Sequence, residues 1–191
     1  MNQKNLLEVD WSKIPAPADD GGAAHLAGLQ IPSVGLRATD DTVVDLSRLK
    51  GRTVVFAYPR TGEPGKVSLV DDWDMIPGAR GCTPQACSFR DLFSELKAAG
   101  AAHVFGLSTQ SNAYQTEMAA RLHLPFPVLS DEKLTLTEAL QLPTMQVAGL
   151  TLIKRLALVV DDGRIARVFY PVFPPDRNAG DVLDWLRDNP A

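Results

Sequence analysis

The segment Thr53-Val54-Val55-Phe56-Ala57-Tyr58 restricts this chain more than any other. It is apolar and β-branched, with no polar alternation. A strand with one face in water alternates, so a strand that does not must be covered on both faces. Strands of that kind belong to sheets held between layers of helix. Pro59, which has no N–H to donate, stops the strand. Val104-Phe105-Gly106-Leu107 and the run from Leu156 to Val160 read the same way. Helical periods lie between and after them. Phe89, Leu92, Phe93 and Leu96 fall at i, i+3, i+4 and i+7, closed by Gly100. Ser111 is placed to cap a helix carrying Tyr114, Met118 and Leu122, and Val182, Leu183 and Leu186 mark a final helix. Pro125 to Leu129 reads as a short strand and Leu134 to Leu142 as a short helix. Asp161-Asp162-Gly163 is a hairpin turn that returns through Ile165 to Tyr170. This order predicts an α/β sandwich, with a central mixed β-sheet flanked by helices.

The length, 191 residues, suits one domain. Residues 1–30, punctuated by Pro15, Pro17, Gly21 and Gly22, read as an arm with little regular structure, and the domain proper as 31–191. Residues 60–81 show no period and hold Gly62, Gly65, Gly78, Gly81, Pro64 and Pro77. So long an irregular stretch is uncommon in a compact domain and is either a functional loop or disordered. Val67, Leu69, Val70, Trp73, Met75 and Ile76 make it too apolar for a disordered linker, so burial of those side chains is expected. Trp73 is either a packing anchor for that loop or part of a pocket wall.

Charge narrows the function. Nineteen Lys and Arg against 23 Asp and Glu leave a net −4, the wrong sign for a protein that neutralises nucleic-acid phosphates. No apolar run approaches the ~18 residues of a membrane span, and the N-terminus has no signal-peptide core. A cytoplasmic protein without nucleic-acid or membrane partners is expected. His25, His103 and His123 lack metal-ligand spacing, and Asp71, Asp72 and Asp74 read as a solvated turn. Neither metal nor cofactor is expected.

The two cysteines, Cys82 and Cys87, do not make a disulfide-stapled scaffold. In Gly81-Cys82-Thr83-Pro84-Gln85-Ala86-Cys87, Thr83 is a suitable helix N-cap and Pro84 a suitable first helical residue. Cys82 would then sit just before a helix, where unpaired N–H groups and the positive dipole end favour a thiolate. Arg80 and Arg90 are near in sequence. Cys87 would lie further along the same helix. A five-residue helical step puts Cα atoms roughly 8.6 Å apart, and a disulfide spans about 4.4 to 6.8 Å. The thiols therefore cannot bond unless the first turn unwinds. Such a pair suits a redox cycle with local unfolding; the plainer reading is two unrelated small core residues.

The segment Gly81-Cys82-Thr83-x-x-Ala86-Cys87-x-Phe89-Arg90-Asp91 resembles the active-site stretch of the atypical two-cysteine peroxiredoxins, the bacterioferritin-comigratory-protein (Q-type) branch, written T-P-G-C-T-x-E-A-C-x-F-R-D. The resemblance covers roughly residues 31–188. It includes Val54 to Pro59, like that family's strand ending in Tyr-Pro, and Arg155 with Asp162-Gly163-Arg164-Ile165 after the next strand. It implies a thioredoxin-like fold and a thiol peroxidase. Carried over, Cys82 is the peroxidatic cysteine, Cys87 the resolving cysteine and Arg155 the arginine that orients thiolate and peroxide. Pro59, Arg80, Gly81 and Thr83 are the candidate peroxide-binding residues. From the residues alone, Arg155 would read as a solubilising charge at a strand edge, and Arg80 as either a solvated loop charge or an anion contact.

Three departures stand out. Pro59 precedes Cys82 by 23 residues, far more than in the family, so residues from about 60 to 79 read as an insertion before the active-site helix. The family's threonine before the cysteine is Ala79 here, with Thr61, Thr83 or a water as substitutes for its hydroxyl. Gln85 stands where the family has glutamate. The implied chemistry is attack of the Cys82 thiolate on a peroxide oxygen, then condensation of the sulfenic acid with Cys87 to an intramolecular disulfide. Thioredoxin or a similar dithiol would reset it. The implied partners are a peroxide and that reductant, in a monomer or homodimer. Two other functions remain open: a protein thiol–disulfide oxidoreductase, disfavoured because those use C-x-x-C, and a non-catalytic redox-sensing module, motivated by Ala79.

Overall fold

The computed structural model describes residues 9–190. In chain order the elements are β1 (Gly35–Ala38), β2 (Val43–Asp45), β3 (Arg52–Ala57), α1 (Cys82–Asp91), α2 (Phe93–Ala98), β4 (Ala101–Ser108), α3 (Asn112–Arg121), β5 (Val128–Ser130), α4 (Thr135–Leu140), β6 (Thr144–Val147), β7 (Leu150–Ile153), β8 (Leu156–Asp161), β9 (Arg164–Phe169) and α5 (Asn178–Asp188). Seven strands form one mixed sheet in the order β2-β1-β5-β4-β3-β8-β9. The β5-β4-β3 centre is parallel and the remaining pairs are antiparallel. β6 and β7 form a separate hairpin.

The period-2 geometry of a strand explains why β3 shows no polar alternation. Val54, Phe56 and Tyr58 point into one core layer, with Phe89, Leu96, Met118, Val182 and Leu183. Val55 and Ala57 point into the opposite layer, with Leu26, Ile31, Leu136, Leu140 and Ile153. β8 divides likewise, Ala157 and Val159 to the first layer and Leu156, Leu158 and Val160 to the second. This is the expected sandwich. The Asp162-Gly163 hairpin also forms, with φ of 47° and 81° at the two turn residues.

Among its described residues the segment read as an arm has little regular structure, with one helical turn at Trp11–Lys13, but it is packed. Leu26 is fully buried and Ala23 nearly so. The Gly28 N–H donates to Ile165 O and the Ile31 N–H to Gly163 O, both at 2.8 Å. Residues 1–8 of the arm lie outside the described residues.

The loop expectation needs correction. Residues 60–81 contain one short helical turn, Trp73–Met75. Leu69, Val70, Trp73 and Ile76 are half-buried, but Val67 is 96% exposed and Met75 61%. The loop lies against the domain along one side, so its outward side chains find no second layer. Among the described residues, no helix is long and apolar enough to cross a membrane.

Candidate active site

β3 carries the chain to one edge of the sheet, and its ladder ends one residue beyond the strand, where the Tyr58 N–H donates to Leu107 O at 3.1 Å. Pro59 breaks it. The chain returns from the long loop at Gly81, which takes φ 104° and serves as the N-cap of α1. Here the sequence expectation is corrected: the cap is Gly81, without a side-chain cap bond, and Cys82 is already the first helical residue. Pro84 is tolerated because a helix's first turn needs no N–H from it. A side chain at residue 81 would have nowhere to go, since a Cβ would lie 2.6 Å from Pro175 Cγ and 2.7 Å from Trp11 Cη2.

Cys82 is 3% exposed and Cys87 6%, and both are free thiols. The Cys82 thiol donates to Ala79 O at 3.6 Å. Arg155, between β7 and β8, is 2% exposed and reaches the sulfur, its Nη2 lying 3.2 Å from Cys82 Sγ. The same nitrogen is shared among the carbonyls of Gly78, Ala79 and Arg80 at 3.0–3.3 Å. Those bonds pin the end of the long loop under the thiol. Nη1 donates to Gln85 Oε1 at 2.5 Å. The guanidinium and the helix N-terminus thus both face Cys82. Cys87 has the opposite environment. It lies within the apolar cluster that also holds Phe56 and Phe89, and burial pushes its thiol up from the usual value.

Arg80, Gly81 and Thr83 line a cavity of about 80 Å³ with Cys82, together with Arg60, Thr61 and Trp73. Pro59 is buried at the strand end and is absent from that lining; Arg155 approaches the sulfur from outside it. Arg80 is mostly buried and pairs with Asp74 at 2.9 Å, so it is not the solvated loop charge of the plainer reading. Trp73 is a cavity wall. Sequence reasoning missed the polar scaffold beneath. Gln110 Oε1 accepts from the Thr61 N–H at 2.9 Å and from Thr61 Oγ1 at 3.1 Å. Tyr114 Oη donates to Thr61 O at 3.0 Å, and Tyr58 Oη to Gln115 Oε1 at 2.9 Å. Burial pushes the Tyr58 hydroxyl well above its usual value and keeps it a donor. No spacing rule flags Gln110 or Gln115, because their partners are remote in sequence.

This fold and site define a thiol-based redox protein. A family model described as Redoxin matches residues 26–183, and the chain belongs to that family. Within it the similarity is to the Q-type peroxiredoxins. The chain is 33% identical over 162 residues to the chloroplastic peroxiredoxin Q of Oryza sativa subsp. japonica, covering 84% of this chain and 66% of that protein. It therefore spans just under two thirds of the plant relative. It is 32% identical over 168 residues to peroxiredoxin Bcp of Escherichia coli (strain K12), covering 85% of this chain and 96% of that one. Among solved structures, peroxidoxin BcpB of Mycobacterium tuberculosis superposes with a TM-score of 0.69 at 27% identity, covering 86% of this chain and 98% of that one.

Proposed function

We propose that the protein is a thiol peroxidase acting on hydrogen peroxide and organic hydroperoxides. The observation that carries this is the Arg155 guanidinium 3.2 Å from a cysteine sulfur at a helix N-terminus, beside a small cavity. In the first step the Cys82 thiolate attacks one peroxide oxygen. An S–O bond forms, the O–O bond breaks, and the alkoxide or hydroxide leaves and takes up a proton. Arg155 and the N–H groups of the first helical turn stabilise that developing anion. Arg80, Gly81 and Thr83 shape the peroxide's seat, and Pro59 fixes the strand end beside it. The hydroxyl missing at Ala79 is replaced by Thr61 or Thr83, both on the cavity wall. In the second step the Cys87 thiol condenses with the sulfenic acid, releasing water and forming an intramolecular disulfide. An external dithiol, thioredoxin or similar, returns both thiols by exchange.

The test is peroxide-dependent NADPH oxidation coupled through thioredoxin and its reductase. The unsubstituted protein turns over, and Cys82→Ser does not while remaining folded by circular dichroism. Comparable turnover in Cys82→Ser overturns the assignment, and an inactive unsubstituted protein overturns the function.

A further inference from the structure

The N-terminal arm reaches the active site. Trp11 lies before residue 26, where the Redoxin match begins, and is half-buried. Its Nε1–H donates to Asp176 Oδ2 at 2.8 Å, and its ring meets Phe173 edge to face with centroids 6.0 Å apart. Both partners lie in the segment that leads into α5. So held, the indole closes on Gly81, with Cη2 2.7 Å from where a Cβ would stand. Pro17 packs on Gly78 in the same manner, 3.5 Å from the Cβ position. Further along the arm, Asp20 accepts from Lys154 Nζ at 2.5 Å and from Tyr170 Oη at 2.6 Å. The arm is thus tied down at both ends and bears on residues 78 and 81, the approach to Cys82.

Gly81 is where α1 must open. A bond between Cys82 and Cys87 needs an unwound turn, and the Phe89 ring stacked on Phe56 pins the helix beyond Cys87. Disulfide formation therefore draws Gly81 and Cys82 out of place. The anchors of Trp11 are not on α1, so its contact with Gly81 exists only while the first turn is wound. An interaction made in one form alone shifts the equilibrium toward that form. We propose that Trp11 is a positioning residue that holds the first turn of α1 wound and thereby raises the reduction potential of the Cys82–Cys87 couple. On reduction, two electrons from an external dithiol break the S–S bond, each sulfur takes a proton, and the donor closes to its own disulfide. The Trp11 contact re-forms as α1 rewinds, so it favours the dithiol product and makes the disulfide easier to reset. A contact that stabilised the fold at large would favour both forms alike and leave the potential where it was.

The inference rests on the peroxidase reading only in that the two thiols pair. The experiment equilibrates the unsubstituted protein, Trp11→Ala, Trp11→Phe and Leu36→Val in mixtures of reduced and oxidised dithiothreitol. The fraction of Cys82–Cys87 disulfide is read by thiol alkylation and mass. Leu36, on β1 in the opposite core layer, is the control for general destabilisation. Trp11→Ala is expected to make the disulfide about tenfold harder to reduce, a midpoint about 30 mV more negative. Trp11→Phe, whose shorter ring does not reach Gly81, should move the same way by less, and Leu36→Val should not move. An unmoved midpoint in Trp11→Ala overturns the proposal, as does an equal shift in Leu36→Val or an unsubstituted protein that forms no such disulfide. If circular dichroism shows Trp11→Ala unfolded, Trp11→Phe decides by the same rule. A shifted midpoint with no peroxide turnover in any form sinks the peroxidase reading and supports the role of Trp11. Turnover with an unmoved midpoint does the reverse.

Discussion

Gly81 shows how a single residue governs this site. Its φ of 104° turns the chain into α1, and Trp11 and Pro175 close on its missing side chain. Gly81→Ala forces a positive φ on a side chain and two contacts shorter than van der Waals distance. We expect a loss of about 1–3 kcal/mol in unfolding free energy by urea titration. Peroxide turnover should fall further than stability does, because Cys82 is the next residue. An alanine variant with unchanged turnover would show that the approach to Cys82 is not tightly held. Cys87 makes a second prediction at this scale. Burial raises its folded-state value, so the native state holds its proton more tightly than the unfolded chain. The stabilisation is present below the ordinary value of 9.0 and is lost as pH rises through the folded one. Urea midpoints of the reduced protein should therefore drop more steeply above pH 9 than those of Cys87→Ala. Parallel pH curves for the two would refute it.

At the scale of the element, α1 holds both cysteines on one intact helix, so their bonding requires it to unwind. How far is set by what pins the helix. Phe89 stacks on Phe56 with centroids 4.2 Å apart and 7° between planes, and both rings are fully buried. The first turns are held by polar bonds instead, from Gln85 to Arg155 and Asn178. Polar contacts that water can replace give way before a buried stack. After peroxide treatment, amide-exchange protection should fall from Gly81 to Phe89 and persist beyond it, with a tryptic map linking Cys82 to Cys87. Disulfides between chains, or an oxidised helix that stays protected, would refute this. Legibility in sequence also varied by element. Ser111 caps α3, accepting from the Tyr114 N–H at 3.4 Å, as its position suggests. The β6–β7 hairpin was missed because its turn is Ala148-Gly149, with alanine at φ 49° where asparagine or aspartate would have signalled it.

At the scale of the whole molecule, the insertion builds part of the site. The Cys82 cavity shares Arg60, Thr61, Gly62, Ser68 and Trp73 with a larger one of about 430 Å³ lined also by Lys66, Val67, Leu69 and Tyr114. The loop thus lines both cavities. With Val67 and Met75 exposed, it adds little to the core. Shortening residues 60–79 should leave the protein folded and change the ratio of hydrogen peroxide to bulky hydroperoxide turnover. An unchanged ratio would show that the loop does not control access to Cys82.

The apolar run at Thr53–Tyr58 determined a covered central strand, because strand geometry sends alternate side chains to opposite faces whatever surrounds them. The spacing of Cys82 and Cys87 likewise determined that any bond between them needs an unwound turn, because helical rise is fixed by backbone geometry. What lies around Cys82 was decided only by tertiary structure. Arg155 is 73 residues from Cys82, and Asn178 is 93 from Gln85. Their meeting depends on the pairing of β3 with β8 and the packing of α5 on α1. Contacts of that kind leave no local period, since their energy comes from burial of partners that the chain brings together only on folding.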